Sequence, residues 1–167
     1  EKAGNTSNAS GDKLHPDVGG DPSPAGPTYF TVVWERAFTS TDHDIHMKQV
    51  AWDGTLRSAA PTVITNGLDN ASWPSISKSD GASPNGNGTA FQQWAVVWQR
   101  TFSPTDEDIY GALITWDGNF VPVNATDTFP ITTSTANDTR PSVSSPTQNL
   151  GVRNYVVATS RTSAQNG

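Results

Sequence analysis

The sequence predicts an all-β chain assembled from one antiparallel unit used more than once. Three observations predict it. The chain matches itself: Val32-Val33-Trp34 returns as Val96-Val97-Trp98, Thr41-Asp42 with Asp44-Ile45 returns as Thr105-Asp106 with Asp108-Ile109, and Trp52-Asp53-Gly54 returns as Trp116-Asp117-Gly118, each 64 residues downstream. Ordered matches without drift mark a repeated structural unit. The apolar stretches are short, rich in Val, Thr and aromatics, and bounded by Gly, Asn, Asp and Pro, which is strand-and-turn chemistry. Helix-forming chemistry is sparse, with three Glu in the whole chain (Glu1, Glu35 and Glu107).

Each unit reads as four strands. The first is expected to start at a proline, in Pro16-Asp17-Val18, Pro74-Ser75-Ile76 and Pro141-Ser142-Val143, since a proline at a strand's first residue costs no important ladder bond. The second is read over Tyr29 to Arg36, Gln93 to Arg100 and Asn154 to Thr159, with Val-Val markers at 32, 96 and 156. The third is read over Asp44 to Trp52 and Asp108 to Trp116, and the fourth over Thr62 to Thr65 and Phe129 to Thr133. Trp-Asp-Gly closes the third strand with a turn whose glycine supplies positive φ. The stretch from Lys78 to Ala90, KSDGASPNGNGTA, reads as a surface loop.

These boundaries divide the chain into residues 1–13, the end of a preceding unit or a linker, then 14–72 and 73–139 as two full units, and 140–167 as part of a third. A repeated four-stranded antiparallel unit of about 60 residues is what a β-propeller blade looks like. Near-continuous apolar runs such as Phe30-Thr31-Val32-Val33-Trp34 fit a sheet covered on both faces. The rival architecture is a tandem of β-sandwiches, for which such a unit is short. The expectation is therefore blades of four antiparallel strands, about two and a half repeats, in an incomplete ring, since a closed propeller takes about four to eight blades. Either further blades lie outside this chain or chains assemble into a ring. The chain's end at Gly167, just after a second strand, favours the former.

The pattern Pro-x-Val, Val-Val-Trp, Asp-x-Asp-Ile-Tyr-Gly and Asp-Gly resembles the blade repeat of secreted bacterial β-propellers, of the sialidase-like or TolB-like kind. The second copy is nearest, with Asp106-Glu107-Asp108-Ile109-Tyr110-Gly111, while the first reads Asp42-His43-Asp44-Ile45-His46-Met47. The resemblance implies an architecture and leaves the activity open.

Composition narrows the function. Ten basic and 16 acidic residues give a net charge of −6, and the basic side chains are scattered singly. Without a basic cluster, nucleic acid and anionic membrane surfaces are disfavoured as partners. No apolar run reaches membrane-spanning length. The chain has no cysteine, which removes disulfides, thiolate metal sites and cysteine nucleophiles. It opens Glu1-Lys2-Ala3 without an initiator Met, which reads as a processed or excised chain, and a secreted or cell-surface protein is expected.

Few residues stand out as chemistry. Asp42, Asp44, Asp106 and Asp108 are paired carboxylates near turns and suit calcium, but their recurrence in both units favours turn capping, a role that repeats with the fold. His43 and His46 form H-x-x-H, which on a strand points to opposite faces, and with His15 the only other histidine a zinc site would need Asp42 or Asp44 as well. Trp34, Trp98, Trp52 and Trp116 occupy repeated positions and are expected in the core. Trp73 and Trp94 lack a tryptophan equivalent and are the candidate ligand-binding residues, able to stack on a sugar ring or to pack between units. Arg36 and Arg100 are equivalent, and no Tyr-Glu pair or serine triad accompanies them, so no catalytic residue is assigned. Sequons occur at Asn5, Asn8, Asn70, Asn87, Asn124 and Asn137, and glycosylation is a candidate at Asn70, Asn87, Asn124 and Asn137. The expected function is a non-catalytic binding or scaffold module for a glycan or protein, partnered by other chains or by further blades. The alternatives are part of a propeller glycoside hydrolase or lyase, and a structural subunit of an extracellular assembly.

Overall fold

A computed structural model of the chain describes residues 11–20, 29–67, 70–78, 93–115, 117–149 and 152–162. These residues form strands, turns and loops without a helix, so the chain is all-β. The surface-loop reading of the Lys78 to Ala90 stretch lies, from residue 79 on, outside the described residues, as do Trp116, Asn5, Asn8 and Asn87.

The first unit consists of β1 (Asp12–Gly19), β2 (Tyr29–Ala37), β3 (His43–Ala51) and β4 (Thr62–Val63). Each strand pairs antiparallel with the next. The second consists of β5 (Asn70–Ile76), β6 (Gln93–Ser103), β7 (Asp106–Thr115), β8 (Phe120–Val121) and β9 (Phe129–Pro130). Here β5, β6 and β7 form the same meander, and both β8 and β9 pair with β7. The third is built on β10 (Asn137–Val143) and β13 (Val157–Thr162), with a hairpin of β11 (Thr147–Asn149) and β12 (Val152–Asn154) between them. A single parallel bridge, His43 to Asn70, joins the first two meanders into one mixed sheet. Among the described residues no sheet closes into a barrel.

Three details differ from the sequence reading. Each first strand begins about a turn's length before its proline, at Asp12, Asn70 and Asn137, and carries the proline inside it. The strand accommodates it with a bulge: the register slips between Leu14 and Asp17, between Ser72 and Ser75, and between Thr139 and Ser142. Proline lacks an N–H, so it belongs where the ladder is already interrupted. The second strand of the third unit is Val157–Thr162, not Asn154 to Thr159. Val143 pairs with Val157 as Ile76 pairs with Val96 and Val18 with Val32. The equivalent of Val96 is therefore Val157, so the third marker stands one residue later than the Val-Val match places it, and Arg161 becomes the counterpart of Arg36 and Arg100. Trp52, expected in the core, lies in the turn beyond β3 and is 76% exposed.

The units pack face against face. Side chains alternate across a strand, so each meander has two faces. Val33, Ile45 and Met47 of the first unit meet Ile76, Trp94, Val96 and Trp98 of the second in one cluster. The opposite face of the second unit, with Ala95, Val97 and Ile109, meets Val143, Tyr155 and Val157 of the third. The second unit is thus covered on both sides, and positions 94–99 of β6 are all buried. Trp94 fits because Gly19 faces it: a Cβ at Gly19 would stand 2.8 Å from the Trp94 Cδ1 and 2.6 Å from the Ser77 carbonyl oxygen.

The remaining repeated motifs are structural. Gly54 (φ 86°) and Gly118 (φ 85°) complete the predicted turns, donating their N–H groups to the carbonyls of Ala51 and Thr115, each at 2.9 Å. Thr65 and Thr132 tie each third strand to its fourth. Their hydroxyl oxygens accept from the N–H of Ile45 and Ile109, both at 2.8 Å, and donate to Asp44 and Asp108, both at 3.3 Å.

Candidate functional site

The site follows from the bulges. His15, Trp73 and Arg140 each precede the proline of a first strand, and each has positive φ (47°, 52° and 49°). A non-glycine residue in that region costs about 1–2 kcal/mol, so three at equivalent positions indicate a shared constraint. Their side chains form one column. The His15 imidazole stacks on the Trp73 indole with centroids 3.6 Å apart and planes 28° apart. The Arg140 guanidinium lies 5.0 Å from the Trp73 ring centroid. One residue from each of three successive units therefore contributes to a single surface stack, with Trp73 37% exposed.

Beneath the stack lies Glu35, which is 2% exposed. The His15 Nδ1 donates to one carboxylate oxygen at 2.8 Å, and the His43 Nδ1 donates to the other at 2.6 Å. The backbone N–H of Trp73 also donates to this carboxylate, at 3.1 Å. The next interface repeats the arrangement with an amide: Gln99 Oε1 accepts the Arg140 N–H at 3.2 Å, and Gln99 Nε2 donates to Glu107 at 2.8 Å. The strands β2 and β6 thus each hold the bulge of the following unit, through Glu35 and Gln99, the residue after the Val-Val-Trp marker. The signal was present as Trp-Glu and Trp-Gln at equivalent places, but its long-range partner is invisible in sequence.

Other contacts between units are also polar. Asp17 accepts the Ile76 N–H at 3.0 Å and pairs with Lys78. Burial would raise the pKa of Asp17, but the Lys78 ammonium and the N–H groups of Ile76 and Val18 outweigh it, and the net shift is downward. Within the third unit, Asp138, fully buried, takes two bonds from Arg161, Nε at 2.7 Å and Nη2 at 2.8 Å, and this pairing draws its carboxyl below the usual range.

The residues singled out from sequence separate accordingly. Trp73 is at the surface, with its ring already stacked on protein. Trp94 is fully buried, and its indole N–H donates to the Gly20 carbonyl at 3.2 Å, so it is a packing residue and not a ligand platform. Asp44 and Asp108 are buried acceptors for Thr65 and Thr132, and Asp108 also accepts the Ser134 N–H. Asp42 uses its backbone carbonyl to close the turn at Phe38 and Thr39. Among the described residues no group of three or more His, Asp or Glu side chains is arranged to hold a metal ion, so Asp42, Asp44, Asp106 and Asp108 do not converge as a calcium site.

His43 and His46 point to opposite faces. His43 reaches Glu35, whereas His46 lies between Trp34, 5.9 Å away, and Phe38, 6.4 Å away. His46 is 3% exposed with neither ring nitrogen hydrogen-bonded, and burial, with Arg36 and Lys13 nearby, lowers its pKa to about 4. Arg36 and Arg100 lie over aromatic rings, Phe38 at 4.3 Å and Phe102 at 4.7 Å. Asn70 and Asn137 turn their side-chain oxygens into the protein, while Asn124 is exposed. No helix among the described residues is long and apolar enough to cross a membrane. No protein-family model, curated protein or solved structure matches the chain.

Proposed function

We propose that the chain is a β-propeller segment serving as a non-catalytic recognition module of a secreted or cell-surface protein, with a glycan as its ligand. The architectural part is supported by the column. Equivalent residues of successive units touch directly only where those units converge. Contacts of 3.6 Å between His15 and Trp73 and 5.0 Å between Arg140 and Trp73 therefore suit first strands nearest a common axis. Units stacked face to face with short fourth strands are the matching blade arrangement.

The recognition part rests on one observation, that the column presents an aromatic edge, an imidazole and a guanidinium together at the surface, where loops and rims of a propeller meet their ligands. Glu35 joins two successive units, while Asp44, Asp108 and Asp138 are engaged within their own units by Thr65, Thr132 and Arg161, and this favours binding over acid–base chemistry at these carboxylates.

Tryptophan fluorescence and calorimetric titration with a panel of neutral and uronate-containing oligosaccharides test the reading. Binding by a panel member that is lost in both Trp73→Ala and Arg140→Gln, in protein that remains folded, supports it. Binding unaffected by both substitutions, or no binding across the panel, overturns it.

A further inference from the structure

The described residues carry both halves of an inter-unit interface, each exposed. On the second unit, the face packed against the first consists of Ile76, Trp94, Val96 and Trp98, none more than 1% exposed. The equivalent positions on the first unit, by strand register and the 64-residue repeat, are Val18, Phe30, Val32 and Trp34. Val18 is 47% exposed and Phe30 42% exposed, with Val32 and Trp34 half-buried. His46 lies under this face, buried, with two ring nitrogens that have no hydrogen-bond partner. Its counterpart in the second unit, Tyr110, packs against the core cluster shared with the first unit.

The complementary half is on the third unit. Val156, Ala158 and Ser160 occupy the register positions of Ala95, Val97 and Gln99, which are buried between the second and third units. They also match Thr31, Val33 and Glu35, buried between the first and second. On the third unit all three are exposed, Val156 at 66%.

We propose that the outward face of the first unit docks the outward face of the third unit of a second copy of this chain, head to tail, continuing the face-to-face stacking seen twice within the chain. Charge disfavours the self-paired alternative. Lys13 and Arg36 lie on the first unit's outward face, directly paired across β1 and β2, and a symmetric contact would set them against their own copies. A head-to-tail contact joins unlike surfaces and either closes into a ring or extends as a filament. The inference rests on the packing of units and is independent of any glycan at the column, so the two readings fail separately.

Sedimentation and light scattering of the intact chain, at a concentration on the order of 100 μM where a micromolar contact is saturated, test it together with two variants. Phe30→Glu spoils one half and Val156→Lys the other, both at exposed positions. Val18→Lys and Ala158→Arg serve in their place if circular dichroism shows that either variant is unfolded. The intact chain is expected at two or more copies, and each variant alone at one. An equimolar mixture of the two variants is expected to recover a two-copy species, because each retains the half that the other lacks. A monomeric intact chain, a folded single variant that still associates, or a mixture that stays monomeric overturns the proposal.

Discussion

The Glu35 carboxylate accepts the backbone N–H of Trp73 at 3.1 Å, across 38 residues of chain. The bond joins the second strand of one unit to the bulged first strand of the next. It satisfies a donor that the bulge has removed from the ladder. The same carboxylate holds His15 and His43, so one buried acid organises three elements.

Replacing that acid is expected to be costly. Glu35→Ala leaves two imidazole donors and one backbone N–H without their acceptor, and a loss on the order of 3 kcal/mol follows from breaking a buried polar network. Glu35→Gln keeps an acceptor for Trp73, as Gln99 does for Arg140, and is expected to lose less than half as much. Urea midpoints of the two variants, at unchanged slope, measure the difference.

Acidification is expected to destabilise the fold through His46. Its folded pKa of about 4 lies below the ordinary value of 6.5, so the unfolded chain binds the proton more readily. The contribution is complete above about pH 6.5 and is progressively lost as pH falls toward 4, by on the order of 3 kcal/mol. Asp44, whose carboxyl burial pushes upward, and the cations Arg36 and Lys13 lie on the same face of the unit. His46→Phe keeps the stack on Trp34 and removes the titration. A stability profile that steepens equally below pH 6.5 in this variant contradicts the assignment.

A side chain at Gly19 is expected to separate the first two units. The 2.6 and 2.8 Å approaches to the Ser77 carbonyl and the Trp94 ring leave no room for a methyl group. Gly19→Ala is expected to cost about 1–3 kcal/mol, as overpacking of a filled core does. Trp94 fluorescence and the melting temperature report it, and a neutral substitution would place Trp94 elsewhere.

Calcium is expected to leave the protein unchanged. The oxygens of Asp44 and Asp108 are engaged by Thr65, Thr132 and the Ser134 N–H, so binding a cation would first break bonds that hold the third and fourth strands together. Melting curves with excess calcium and with chelator should coincide. Thr65→Val, which removes the anchor at Asp44, should lower stability by about 1 kcal/mol.

The Asp138–Arg161 pair sets a second, lower pH window. The folded pKa of Asp138 is depressed, so its contribution is present above the ordinary carboxylate value near 3.9 and is lost as pH falls through the folded value. Asp138→Asn should lower stability at neutral pH and remove that part of the acid transition. Equal acid sensitivity in variant and parent counts against it.

Much of the architecture was legible because packing positions repeat. Val33 and Val97, and Ile45 and Ile109, are buried alike in both units, and the glycines at 54 and 118 share a positive φ, since each sits at the same place in the same meander. The tryptophans were less legible. Trp98 is buried as expected, whereas Trp34, at the equivalent position, is only half-buried because it faces outward from the first unit, and Trp52 falls just beyond a strand end, where alternation no longer directs it inward. Trp94, without a tryptophan counterpart, fills the core because Gly19 leaves space on a strand distant in sequence. The candidate column was hidden because His15, Trp73 and Arg140 share no chemistry, only a backbone conformation and a following proline.

Local spacing by itself determined the all-β character of the chain and the turns at Gly54 and Gly118, because these depend on alternation and on glycine's access to positive φ. Tertiary structure alone decided which faces meet, where the bulges shift the register, and that Glu35 serves Trp73. Those outcomes depend on close contact between residues far apart in the chain. A one-residue slip, such as that between Val156 and Val157, turns a side chain to the other face while leaving the sequence pattern almost unchanged.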